Sequence, residues 1–399
     1  MSLYVGIGTS KNPEDSFTSG QEAARLALEK LQKLNGARAD IAVVFASSHY
    51  SQAEMLKGVR QTLKNIPVVG CTSAGAITSA GAQEQAVSVA ILGSDEGKFN
   101  PIKITEISKN MREAGQTFGA ELKQIDPTAH LAFIFSDALS GNGTELVRGV
   151  LDVLGTDFAL AGGAAADDMD FKKTYQYFND EVLTNAAVGF AVSGNISFAA
   201  GADHGWQPIG NGRTVTKAVG TKLFLLDGKP AFDIYKDYFG QRSSDFKEAL
   251  SLAAVSYPLG MKSPGSDGIM IRVPLVVGDD GSIVCGAEVL PGSKMFLMIG
   301  TMSDALGAAE SKLKDLVAKM PDTKKRAVFV SDCVARKILF GERGKEEIEL
   351  LKSIAGPESE IFGFYSYGQI SPLATPTKDV DTCDPGFYEQ SISITILGA

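Results

Sequence analysis

The stretch IAVVFASSHYS (41–51), AEMLKGVRQTL (53–63), IPVVGCTSAGAIT (66–78) and QAVSVAILGS (85–94) decides the fold, because its order recurs twice more along the chain. The second copy runs LAFIFSDALSGNG (131–143), TELVRGVLDVL (144–154), FALAGGAAADD (158–168) and NAAVGFAVSGN (185–195). The third runs AVFVSDCVARKILFG (327–341), KEEIELLKSI (345–354), EIFGFYSYGQISP (360–372) and QSISITILGA (390–399). Each copy opens on a short β-branched and aromatic run, the mark of a buried strand, and follows it with small and polar residues. A helix comes next, with apolar residues about three or four apart: Met55, Val59, Leu63; Leu146, Val150, Leu154; Ile348, Leu351, Ile354. A second strand turns at Gly70, Gly162 or Gly363, and an alternating strand closes the unit. A helical pattern precedes each copy, at 21–34, 114–125 and 306–320. The predicted unit is therefore helix, strand, helix, strand, strand, with a parallel pair joined through a helix and a closing strand returning antiparallel.

The segment between the second and third copies is rich in turns, such as LDGKPAF (226–232) and VGDDGSIV (277–284), with one helical insert expected at 246–253. Asp280-Gly281 between two apolar runs is a hairpin signal. A Pro/Gly/Asn run at 208–213 marks the expected boundary. The fold class is α/β (α+β): two related lobes of mixed β-sheets packed face to face, with helices outside. Residues 1–210 hold two copies, and residues 211–399 hold the hairpin-rich insert and the third.

Composition narrows the function classes. Asp plus Glu (47) outnumber Lys plus Arg (38), for a net charge of -9, which argues against a nucleic-acid binder needing a basic face. No stretch approaches the roughly 20 apolar residues that span a bilayer. The start, MSLYVGIGTSKNPED, lacks the basic-then-apolar order of a signal peptide, so a cytoplasmic protein is expected. Cys71, Cys285, Cys333 and Cys383 stand far apart without a CxxC, which speaks against structural zinc or a disulfide framework. Glycine supplies 43 of the 399 residues, above the roughly 7% that is ordinary.

The candidate chemistry gathers at the strand ends. In GCTSAG, Cys71, Thr72 and Ser73 follow a glycine turn that could free backbone N–H groups, the setting of an anion nest or of a nucleophile. His49 is the base within reach of Cys71; the plainer reading is a small buried thiol. Arg336 and Arg272 are cations able to take a carboxylate bidentately, or to pair with carboxylates of the chain. Asp167, beside Asp168, serves a ligand ammonium or caps a turn, and no metal site is expected. Tyr365 and Tyr367, with Trp206, offer pocket walls or ordinary packing. Asp137 precedes a glycine-rich loop, and Cys333 stands at the end of the third copy's first strand. No cofactor motif is present; SGNGTE lacks the lysine of a nucleotide loop.

GCTSAGAIT (70–78), LAGGAAADD (160–168), RVPLVV (272–277), SDCVARKILFG (331–341) and GFYSYGQI (363–370) resemble the FIST family, with its FIST N and FIST C domains. The resemblance extends over the whole chain, including VGIGTS (5–10) and GQEAARLALEKL (20–31). It implies an intracellular sensory module that binds small ligands such as amino acids and signals through a partner protein. The family usually carries Glu where this chain has Gln369, which removes a carboxylate from that turn. The expectation is a small-ligand sensor for an amino acid or related carboxylate metabolite. The alternative is a cysteine-dependent hydrolase or acyl-transfer enzyme using Cys71 with His49.

Overall fold

A computed structural model describes residues 3–12, 14–248, 250–263, 268–321, 326–372 and 385–398; Cys383 lies outside them. The chain is a mixed α/β protein, and each copy forms the predicted elements. The helices preceding the copies span Ser16–Gln32, Met111–Ile125 and Met302–Ala318. In the first copy, strand Ile41–Ser47 pairs in parallel with Val68–Ser73 and antiparallel with Val87–Ser94. The same triplet recurs as Leu131–Ser136 with Ala159–Ala164 and Ala186–Gly194, and as Arg326–Cys333 with Glu360–Ser366 and Ile392–Gly398.

Alternation along the first strands gives each sheet two buried faces. Ile41, Val43 and Phe45 point into a core shared with Leu131, Phe133 and Phe135 and with Ala327 and Phe329. The intervening Ala42, Val44 and Ala46 pack with Leu31, Met55 and Val59 of the helices outside. The three sheets thus face one another across an aromatic centre, where Phe45 stacks on Phe364 at 4.4 Å and meets Phe135 edge-on at 5.4 Å.

The strand order shows how the copies join. The chain after each second strand forms a hairpin that belongs to another copy's sheet. The first copy gives Ala76–Thr78 and Gly81–Gln83 to the third, where Ala76 lies opposite Phe364. The second gives Gln176–Phe178 and Glu181–Leu183 to the first, where Gln176 lies opposite Cys71. The third gives Gly368–Pro372 and Pro385–Tyr388 to the second, where Gly368 lies opposite Ala164. Among the described residues, three six-stranded sheets result, each completed by a neighbour. The sheets therefore number more than one per lobe: three related ones enclose the common core, and the insert adds a fourth, eight-stranded sheet.

The insert's sheet includes Gln207–Val219 and Lys294–Ile299 at its centre. Pro274–Val277 pairs with Ile283–Cys285 across the Asp280-Gly281 turn, as the hairpin signal predicts. The helix expected at 246–253 is present as Ser243–Glu248 and Leu250–Ser256, with residue 249 outside the described residues.

Gly70, Gly162 and Gly363 occupy one position in the three copies, and close packing explains all three. A Cβ there would lie 1.9 Å from the Val44 carbonyl oxygen, 2.0 Å from that of Ile134 and 1.8 Å from that of Val330, on the parallel strand alongside. Gly363→Ala should therefore cost about 1–3 kcal/mol, through overpacking that no side-chain rotation relieves. Gly307, inside Met302–Ala318, has open space at its Cβ, and Gly307→Ala should stabilise by roughly 0.5–1 kcal/mol. Denaturant unfolding of the two variants checks both signs.

Candidate functional site

The strand ends of the third copy open onto a cleft of about 370 Å³ where the insert meets the second and third copies. Strand Arg326–Cys333 delivers Cys333, and helix Val334–Phe340 adds Val334, Ala335 and Ile338. The second copy contributes Leu139, Met169 and Phe171 from its loops, and the insert Leu252, Val273 and Leu275. Tyr367, Phe387, Glu389 and Gln390 complete the wall.

Asp167 builds one side of this wall. Its carboxylate accepts from the backbone N–H groups of Phe171 (2.9 Å), Lys172 (2.7 Å) and Lys173 (2.8 Å) and from the Tyr367 hydroxyl (2.5 Å). Asp168, Met169 and Phe171 all have positive φ, a backbone that costs about 1–3 kcal/mol per residue. The four bonds to Asp167 hold this loop so that Phe171 stacks on Tyr367, with centroids 4.4 Å apart.

Among the described residues, Glu389 is the charged one of the cleft lining. Only 6% exposed, it accepts one bond, at Oε2 from the Val273 N–H (3.2 Å). A Cβ on Gly286 would fall 2.0 Å from its Oε1, so the neighbouring strand approaches this carboxyl through a glycine. Burial pushes the Glu389 carboxyl up to about 7, against the pull of the Arg272 charge and the Val273 N–H. Beside it Gln390 donates through Nε2 to the Ala254 carbonyl (2.7 Å), while its buried Oε1 has no partner. Gln390 has a φ of 50°, matched by Gln85 and Asn185 at the same turn of the other copies. Burial pushes the Cys333 thiol up to about 11.

Of the residues singled out in the sequence, Cys333 and Tyr367 line the cleft, and Asp167 holds Tyr367 in place. Trp206 lies behind it, packed on Ile271 and Met298, its indole N–H donating to the carbonyl of the lining residue Val255 (3.0 Å). Tyr365 is buried in the third copy's outer core. Gln369 is buried too: its amide oxygen accepts from Ser366, and its nitrogen donates to the Ser391 and Tyr388 carbonyls, fastening the turn before the last strand. Asp137 accepts from Thr174, from the Leu139 N–H and from the Asn185 N–H, locking the second copy's loop.

The two arginines point elsewhere. Arg272 donates to the carbonyls of Glu288 (2.5 Å) and Ile271 (2.8 Å) and borders a separate cavity of about 500 Å³. Arg336 is fully buried: it pairs with Asp332 (2.8 Å) and Glu347 and donates to the carbonyls of His204 (2.9 Å) and Ala305 (3.1 Å). Its guanidinium is thus occupied by the chain itself. Cys71 and His49 also lie in different surroundings. The Cys71 thiol faces the common apolar core, and burial raises its pKa well above the ordinary thiol value. His49, half exposed, contacts Ser47 (3.1 Å) and Asp168 (3.5 Å). Asp168 also accepts from the Ser47 and Ser48 hydroxyls and the Ser48 N–H. Thr72 and Ser73 are buried, and Thr72 Oγ1 accepts from the Tyr175 N–H (3.0 Å).

The sequence reading passed over Glu389, although the dipeptide Glu389-Gln390 has a counterpart in Glu84-Gln85 of the first copy. That repetition was the available signal. Phe171, Phe387 and Gly286 left none, because their place in the cleft depends on contacts between distant segments.

Fold and site together define a repeat-built α/β protein with a ligand-sized cleft at the junction of its parts. The chain belongs to the FIST family: the FIST N domain matches residues 40–229 and the FIST C domain residues 231–372. FIST domains are associated with sensory signal transduction. An uncharacterized protein of Methanocaldococcus jannaschii is 26% identical, over 90% of this chain and 73% of that protein. Two solved structures align along nearly the whole chain at TM-scores of 0.35. They are a chorismatase, 9% identical and covering 100% of this chain and 98% of its own, and a cyanuric acid hydrolase, 8% identical and covering 99% of both. Among the described residues, no helix is long and apolar enough to cross a membrane.

Two predictions follow from the buried charges. Arg336→Met strands Asp332 and Glu347 without their cation, and should destabilise the protein by about 3–5 kcal/mol in chemical denaturation. Glu389 has a folded pKa above its usual 4.5, so the fold binds its proton more tightly than the unfolded chain does. Its contribution to stability is full below the unfolded value and is lost as the pH rises through about 7. Glu389→Gln should therefore lose less Tm than the parent protein between about pH 6 and pH 8, measured by thermal melts at matched salt.

Proposed function

We propose that this chain is a sensory module that binds a small ligand, an amino acid or related metabolite, in the junction cleft and passes its occupancy to a partner protein. The observation that carries this reading is the cleft itself, about 370 Å³ and walled by three regions remote in sequence. Its volume falls in the usual range for small-molecule sites, and its lining is mostly apolar with a few polar groups. A ligand seated there touches the second copy, the third copy and the insert at once. It therefore favours the arrangement in which all three are drawn together, and that shift in population is what a partner can read. Cys333 and Tyr367 are the sequence-predicted residues that would contact it, with Asp167 positioning the tyrosine.

The reading is tested by thermal shift across amino acids and related amines and acids. The expected result is a saturable rise in Tm for a subset of them, growing with the logarithm of ligand concentration above its Kd. Leu275→Trp, which fills the cleft mouth from a half-exposed position, should abolish the rise while keeping the unliganded Tm. A library without any saturable shift, or shifts that persist unchanged in Leu275→Trp, would defeat the proposal.

A further inference from the structure

We propose that the ligand of the junction cleft carries a protonated amine on an apolar body, and that amines without a carboxylate bind in preference to carboxylates. The inference rests on the reading of the cleft as a small-ligand site and specifies the ligand's chemistry.

The polar groups of the lining point one way. Among the described residues, Glu389 is its charged member, and no lysine, arginine or histidine joins it there. Val273 donates to Oε2 of this carboxyl, and among the described residues no group donates to Oε1. Gln390 donates one N–H to the Ala254 carbonyl, and its buried Oε1 is left without a partner. Two adjacent buried residues thus bring acceptors to a mostly apolar cleft. A buried acceptor without a partner is destabilising, and a ligand N–H relieves that cost. An ammonium brings three donors and the opposite charge. The rings of Phe171, Tyr367 and Phe387 add faces that attract a cation.

A carboxylate would meet the reverse of what it needs. The arginines able to clamp it are committed elsewhere: Arg336 to Asp332 and Glu347, and Arg272 to two backbone carbonyls beside the other cavity. An amino acid would gain at its ammonium end and lose at its carboxylate end. An amine of the same body only gains.

The charge state of Glu389 supplies a second readout. The groups that act on it electrostatically are Arg272, Cys285 and Cys333. Both thiols stay neutral through neutral pH, because burial raises them, and Arg272 stays charged. The carboxyl, pushed up to about 7 by burial, is therefore the one of these groups that titrates near neutral pH. Amine affinity should fall as the pH drops below that value.

The test is calorimetric titration with two matched series, one on a phenylethyl and one on an isopentyl body, each as the amine, the neutral alcohol and the chain-extended carboxylate, with phenylalanine and leucine beside them. The amine should bind most tightly in at least one series, and the carboxylate of that series at least about tenfold more weakly. Glu389→Gln should weaken the amine about 10- to 100-fold and leave the alcohol unchanged, which also verifies that the variant's cleft is intact. A carboxylate or alcohol binding as tightly as its amine overturns the inference. So does an amine indifferent to Glu389→Gln while the alcohol still binds. If no amine binds but the wider library yields a ligand blocked by Leu275→Trp, the amine assignment fails and the cleft reading stands. If Leu275→Trp blocks nothing, the cleft reading itself fails.

Discussion

The exchange of hairpins around the three copies is the constraint on which the rest of the molecule depends. A sheet ending at Val68–Ser73, Ala159–Ala164 or Glu360–Ser366 would present a row of unpaired backbone groups at an apolar edge. In each case the next copy's hairpin covers that edge, so each sheet is completed only by a neighbour. The same closure brings the inner faces together around Phe45, Phe133, Phe135 and Phe329. The outer faces then fall to the helices, and the strand ends are held at fixed positions relative to one another.

Local pattern made much of this legible. The β-branched and aromatic run along 41–47 and the helical spacing along 53–63 act over a few residues, and repetition in three copies reinforced both. The turn at Asp280-Gly281 was equally plain, because its two residues set the hairpin geometry by themselves. The destination of each hairpin was not legible. Nothing within Ala76–Thr78 marks Phe364 as its partner, since any alternating apolar strand can satisfy the same backbone groups. The shared position of Gly70, Gly162 and Gly363 was visible, but its cause was not. The expected turns are absent, because all three glycines lie inside strands; the lack of a Cβ is what the parallel strand alongside requires.

The candidate site shows the same division. Arg336 and Arg272 stood out as cations within apolar stretches, and both are buried. What they face is decided by Glu347, Ala305 and Glu288 on other elements. Glu389 escaped notice because a lone acidic residue before a strand looks like any surface carboxylate. Burial by the insert gives it its character, and the insert's docking has no local signature. Asp167 was visible as a turn aspartate, and the turn it closes is the one that presents Phe171 and Tyr367 to the cleft.

The hairpin exchange also bears on the order in which the protein can be made. Residues 76–83 leave the ribosome long before residues 360–364 exist, so during synthesis the first copy carries a hairpin with nothing to pair against. Its own sheet meanwhile waits for residues 176–183. Partly folded chains with open strand edges are prone to associate with one another. Completion of this fold is therefore a late event in translation, and the newborn chain depends on protection of its edges until the third copy arrives.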